Sequence, residues 1–182
     1  MFLVVGLGNP GSKYSYNWHN CGFMALEVLS QRHRITIGKT KFNGEFGKGD
    51  IDGHEVVLLR PNTFMNLSGE SVKAAADFFK ISPDHIIVIY DDIDIAVGTV
   101  RARDTGGPGT HNGMRSVVAS LGTNSFPRVR VGCGPVPEHW DIADYVLSDI
   151  PKDRQELMFE MFVESAKQVE NKISGGTWTL KG

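Results

Sequence analysis

The sequence lacks most of the features that assign a chain to a class at a glance. Its 182 residues contain only two cysteines, Cys21 and Cys133, both in apolar surroundings and without CxxC or Cys/His spacing. That sets aside a disulfide framework and a thiolate metal site, and leaves reduced core thiols of a cytoplasmic protein as the expectation. No apolar run approaches the roughly 20 residues that cross a bilayer, and no basic leader precedes the first strand, so neither a membrane span nor export is expected. Charge of one sign is not in excess. A net charge of −2 argues against a protein that coats nucleic acid wholesale, though not against a local basic patch. Internal repeats, low-complexity tracts and linkers are missing, so residues 1–182 read as one domain, long enough to bury a core. The signatures GxxxxGK, HExxH and GxSxG are missing as well, which leaves phosphate-loop, zinc-protease and serine-nucleophile chemistry unsupported.

What is present begins with residues 2–20, FLVVGLGNPGSKYSYNWHN. A short apolar run rich in strand formers stops in a glycine-rich turn, the place where α/β proteins usually carry their chemistry. Gly6, Gly8 and Gly11 fit G-x-G-x-x-G. As a dinucleotide fingerprint that motif needs a second strand about thirty residues on, ending in an acid for the ribose hydroxyls. Here Phe23, Leu26, Val28 and Leu29 have helical spacing and the segment closes in Ser30-Gln31-Arg32-His33, with no acid in the required place. Two other readings stand beside it: a turn whose glycines tolerate positive φ, and a loop that presents Asn9 and His19 to a substrate.

Further along, residues 21–34 read as an amphipathic helix, and residues 41–50 and 54–60 as a β-hairpin turning near Asp52-Gly53. A helix is expected over 67–80 with Asn66 or Ser68 as its cap, and a strand buried on both faces over 86–90, ending at once in Asp91-Asp92-Ile93-Asp94. Then follow a strand over 98–103, a glycine-rich loop over 104–113, a helix over 114–121, a strand over 128–133, a short helix over 142–147 and a long one over 152–173. The alternation indicates a single-domain α/β three-layer sandwich, with helices flanking a central, mixed, mostly parallel twisted sheet.

Loops at the carboxyl ends of strands in such sheets share one edge. Residues 9–20, 61–66, 91–94 and 104–112 are therefore expected to meet in a cleft containing His19, Asn9, Asn66, Asp91 and Asn112. Asp91 is placed to bond one nitrogen of His19 and leave the other free to take a proton. Asp91, Asp92 and Asp94 together also permit a magnesium or manganese site. The three asparagines are uncharged donors for a carbonyl or developing oxyanion, and Tyr14, Phe64 and Met65 offer an apolar or stacking floor. Arg101 and Arg103 point to one face of their strand, and Arg128 and Arg130 repeat the spacing, with Lys39, Lys41 and Arg115 as possible additions. Such arginines hold phosphates or form a solvated face.

Taken together, GLGNPGSKY (6–14), HNCGF (19–23), RPNTFMNLSG (60–69), YDDIDIAVG (90–98), HNGMRS (111–116), RVRVGCG (128–134) and ADYVLS (143–148) resemble the bacterial-type peptidyl-tRNA hydrolase family over nearly the whole chain. The resemblance implies hydrolysis of the ester between a peptide and the terminal ribose of tRNA, without cofactor, metal or covalent intermediate, by a cytoplasmic monomer. It implies His19 as general base, Asp91 as its orienter, and Asn9 as a discriminator of blocked amino ends. Asn66 and Asn112 would hold the substrate. Tyr14, Phe64 and Met65 would line its path, and Arg101, Arg103 and Arg130 would face tRNA phosphates. Asn17-Trp18 departs from the family's Thr-Arg, Gly109-Thr110 from a glycine pair, and Pro135 from a basic residue. A catalytically silent RNA-binding relative is the rival reading, with a metal phosphohydrolase or a dinucleotide enzyme behind it.

Overall fold

The apolar run that opens the chain becomes the centre of the sheet. In the computed structural model, which describes residues 1–182, Phe2–Gly6 forms strand β1, with Leu3, Val4 and Val5 wholly buried. Helix α1 follows at Cys21–His33, then strands β2 (Lys39–Lys41), β3 (Gly44–Ile51) and β4 (His54–Pro61). Helix α2 (Ser68–Phe79), strands β5 (Ile86–Ala96) and β6 (Val100–Arg103), and helix α3 (Asn112–Leu121) come next. Strand β7 (Arg128–Gly134), helix α4 (Ile142–Val146) and helix α5 (Lys152–Gly175) complete the chain.

The sheet order is β2-β3-β4-β1-β5-β7-β6. The pairs β1–β4, β1–β5 and β5–β7 are parallel, while β2–β3, β3–β4 and β6–β7 are antiparallel. The expected mixed sheet, parallel at its centre, is what forms. Because side chains alternate across a strand, β1 feeds two cores. Val4 packs with Leu26 of α1 and Phe162 of α5, whereas Leu3 and Val5 pack with Val72 of α2 and Val117 of α3. Helices thus cover both faces, giving three layers.

Three readings are corrected. First, β5 does not stop at Tyr90 but runs to Ala96, so Asp91 lies within a strand opposite Val131. Asp92-Ile93-Asp94-Ile95 is itself a period-two pattern, with Ile95 buried and Asp94 exposed. Its close approach to β7 depends on Gly132 and Gly134, where a Cβ would meet the carbonyl oxygens of Ala96 and Ile93 at 2.1 and 1.9 Å. Second, the first strand of the expected hairpin divides into β2 and β3. Phe42 and Asn43 take left-handed φ values of 61° and 51°, as a tight hairpin turn of the primed type requires. Third, neither Asn66 nor Ser68 caps α2: Leu67 holds the cap position without a side-chain bond, and Ser68 Oγ donates to the Met65 carbonyl instead.

The glycines of the opening turn are explained by proximity. A Cβ on Gly6 would stand 2.2 Å from the Gly22 carbonyl oxygen, and one on Gly22 would stand 2.3 Å from that of Ile89. The motif lets the start of α1 lie directly against the ends of β1 and β5, and of its three glycines only Gly11 has positive φ.

Candidate active site

The loop after β1, strand β5, the turn before α1 and the start of α3 converge on one cleft of about 550 Å³. His19 stands in a single 3-10 turn, Trp18–Asn20, that leads into α1. Its neighbour Asn20 is buried and braces the facing loop. Asn20 Oδ1 accepts from the Asn9 N–H at 2.9 Å, and Asn20 Nδ2 donates to the Asn9 carbonyl at 3.0 Å. Asn9 Oδ1 in turn accepts from the Met65 N–H at 2.8 Å. This fixes the orientation of the Asn9 amide and leaves its NH2 without a protein partner in the cleft wall.

Asp91 is 2 % exposed. Its Oδ2 lies 2.8 Å from His19 Nδ1 and its Oδ1 3.0 Å from His111 Nε2. Burial alone would push its carboxyl up; the His19 and His111 charges and both hydrogen bonds overcome burial and hold it well below the usual carboxylate range. An ionised Asp91 can only accept, so both imidazoles donate to it. His111 is the cap residue of α3, and its Nδ1 accepts from the Met114 N–H at 3.1 Å. Both nitrogens of His111 are therefore committed, with the proton on Nε2. His19 carries its proton on Nδ1, and its Nε2 has no protein partner. Burial opposes charge on His19, but the Asp91 charge and hydrogen bond outweigh it, and its pKa ends above the ordinary imidazole value.

Asn66 and Asn112 line the cleft and are exposed, and Phe64, Met65 and Tyr90 form part of its floor. Tyr14 does not line it; its ring stands edge-on to Phe64 at 6.4 Å, at the rim. Arg103 and Arg130 line the opposite end. The Nε atoms of both are buried without a partner. Burial, followed by the Arg103 charge, pushes the Arg130 guanidinium below its ordinary value; its Nη1 lies 3.8 Å from the Asp92 carboxylate and its Nη2 donates to the Gly182 carbonyl. Arg101 is exposed and outside the cleft.

Other expected basic contributors are elsewhere. Arg128 is fully buried, donating to the carbonyls of Phe126, Gly106 and Asn124, and so staples the loop before α3 to β7. Lys39 and Lys41 lie on β2, at the far edge of the sheet from β6. Asp91, Asp92 and Asp94 do not form the cation cluster that the sequence permits, because Asp91 turns to the histidines. The metal-capable donors that do converge, within 4.8 Å, are those of His19, Asp91 and His111, and they are bonded to one another. Burial and the nearby Asp91 charge push the Cys21 thiol well up, which keeps it protonated and a poor nucleophile.

His111 is the site residue that the sequence reading passed over. Its signal was a second His-Asn pair placed, like the first, just ahead of a helix. The apolar wall contributed by Ile142, Val146 and Leu147 of the α4 region was missed too, since nothing local aims that short helix at the cleft.

The family model for peptidyl-tRNA hydrolase matches residues 3–180. The peptidyl-tRNA hydrolase of Alkaliphilus oremlandii is 46% identical over 176 residues, covering 97% of this chain and 95% of that protein. The Clostridium novyi peptidyl-tRNA hydrolase is 45% identical over 177 residues, covering 97% and 94%. Among solved structures, peptidyl-tRNA hydrolase from Acinetobacter baumannii superposes with a TM-score of 0.91 at 37% identity, covering 97% of this chain and 90% of that one.

Proposed function

The chain belongs to the peptidyl-tRNA hydrolase family, an ester-hydrolysing enzyme family, and from that premise we propose a mechanism for hydrolysis of peptidyl-tRNA in this cleft. The observation that carries it is the pairing of His19 Nδ1 with Asp91 while His19 Nε2 stands free in the cleft. A water held at Nε2 gives up its proton to His19 as its oxygen adds to the ester carbonyl carbon. The tetrahedral intermediate collapses by breaking the bond to the ribose oxygen, which takes the proton back from His19. Asp91 keeps the imidazole in the right tautomer and stabilises the transient imidazolium.

The free NH2 of Asn9 and the amides of Asn66 and Asn112 are donors for the peptide and for the oxyanion. A placed base contributes roughly 10²–10⁴ in rate, and one oxyanion donor on the order of 10²–10³. Those factors suffice for an activated ester without a metal, cofactor or covalent nucleophile. Phe64 and Met65 support the acyl end, with Tyr14 at the rim. Arg103 and Arg130 take a backbone phosphate, and exposed Arg101 extends the path outward. We read the enzyme as a monomer that meets its substrate, a product of translation, in the cytoplasm.

Single-turnover release of peptide from peptidyl-tRNA, with and without EDTA, tests this. Turnover should survive EDTA and vanish in His19→Ala, which should still bind tRNA. Turnover that persists in His19→Ala would overturn the base assignment. Intact protein that binds tRNA but never cleaves would favour the silent binder.

A further inference from the structure

Trp18 is the departure from the family pattern that adjoins the base, and the reaction as described does not use it. Its indole is 3 % exposed and lies nearly parallel to the ring of Tyr145, with centroids 5.7 Å apart and planes at 17°. Tyr145 belongs to α4, whose five residues are too few for a helix to hold itself in place. The Tyr145 hydroxyl donates to the Cys133 carbonyl at 2.6 Å, near the end of β7. Trp140 packs edge-on to the same ring at 5.8 Å.

The backbone joins the same two segments. The Trp18 N–H donates to the Ser148 carbonyl at 3.2 Å, and the Ile150 N–H donates to the Tyr16 carbonyl at 2.9 Å. Between them the Asn17 amide donates to the Asp149 carboxylate at 2.6 Å. The segment that carries His19 and the segment that follows α4 are thus stitched together next to the aromatic pair. On the cleft side, Ile142, Val146 and Leu147 form an apolar wall of the cavity that holds His19.

We propose that Trp18 and Tyr145 are positioning residues: their stack holds the α4 wall at a set spacing from His19, so that substrate packed against Ile142, Val146 and Leu147 also orients the imidazole. The inference rests on His19 acting as the base. Trp18 and His19 are consecutive, so a displaced indole displaces the proton acceptor, and a misplacement of about 1 Å costs on the order of 10²-fold in rate. A looser loop also weakens the His19–Asp91 pair, leaving burial to lower the histidine's pKa.

The test measures steady-state kcat and KM and the pH profile of kcat for Trp18→Leu, Trp18→Phe and Tyr145→Leu, each checked for folding by circular dichroism. Trp18→Leu and Tyr145→Leu should each lower kcat roughly 10- to 100-fold, with less change in KM, and move the acid limb to lower pH. Trp18→Phe, which keeps a stacked ring, should recover most of the rate and the wild-type limb. The double leucine variant should be little worse than either single, as expected for two halves of one contact. Unchanged kcat and pH profile in folded leucine variants, even with a lowered Tm, would reduce the pair to packing and overturn the proposal. So would a phenylalanine variant no better than leucine, or strictly multiplicative losses. His19→Ala in the same assay separates the two failures: if it still turns over, the base reading itself has fallen.

Discussion

Two His-Asn pairs precede helices in this molecule, His19-Asn20 ahead of α1 and His111-Asn112 at the start of α3, and they assign their members opposite tasks. In the first pair the histidine offers a free Nε2 to the cleft, while the asparagine is buried with its amide spent on the Asn9 backbone. In the second the asparagine is exposed in the cleft, while both nitrogens of the buried histidine are spent on Asp91 and the Met114 N–H. Identical dipeptides therefore do different work. What separates them is which side chain the loop turns toward β5, where Asp91 waits between the two rings.

The largest break in that arrangement is Asp91→Asn. His111 can only donate toward position 91, because the Met114 N–H occupies its Nδ1. The new amide must then turn its oxygen to His111 and its NH2 to His19, which forces the His19 proton from Nδ1 to Nε2 and abolishes the free acceptor. Turnover should fall by roughly 10²–10⁴. The residual activity should also have its acid limb at lower pH, since burial without the carboxylate lowers the His19 pKa. A variant near wild-type rate would dissolve the asymmetry between the two histidines.

Next in size is the exchange of tasks between the asparagines. Asn112→Ala should cut the rate on the order of 10²-fold while leaving stability within about 0.5 kcal/mol, as for an exposed position. Asn20→Ala should cost about 1–3 kcal/mol of stability because the buried Asn9 backbone loses its partners. Thermal melts beside kinetics give the comparison, and equal melting points would break it. His111→Ala comes third: roughly 10-fold in rate, with an uncapped α3 and an unpaired Asp91 oxygen removing about 2 kcal/mol of stability.

Wild-type pH behaviour sharpens the contrast further. A base must be neutral, so kcat should rise with pH and level off only above His19's raised pKa, higher than the ordinary value of about 6.5. Stability runs the other way for this residue. The raised His19 pKa adds stability that is complete below about pH 6.5 and is lost as pH climbs through the folded value. Asp91, held low, adds stability that is present above about pH 4 and lost on acidification. The enzyme should therefore work best on the alkaline side of the range where its central ion pair is strongest; a rate that peaks below pH 6 would contradict the base assignment. The smallest effect concerns the distant arginines: Arg103→Ala should weaken tRNA binding and reduce its salt slope by about 1, whereas exposed Arg101→Ala should change both less.

Much of this was legible because it is local. The run at residues 2–5, the helical spacing after Cys21 and the alternation of strands and helices follow from periodicities that any folded context would preserve. The rule for open sheets brought the polar segments to one edge, and His19, Asp91, Asn9, Asn66 and Asn112 do meet there, although Asp91 does so from within β5 rather than from a loop after it. Legibility failed where a residue's setting depends on a remote neighbour. Arg128 reads like Arg130 but faces carbonyls of its own chain, and Lys41 reads like Arg101 but lies at the other edge.

The sequence alone determined the α/β class, the strand ends that bear polar residues and the two His-Asn pairs, because propensity and pattern act over a few residues. Tertiary structure decided which histidine is free and which is locked. A proton's position on an imidazole is set by burial and hydrogen-bond partners, and here those partners lie 72 residues from His19 and 20 from His111 along the chain.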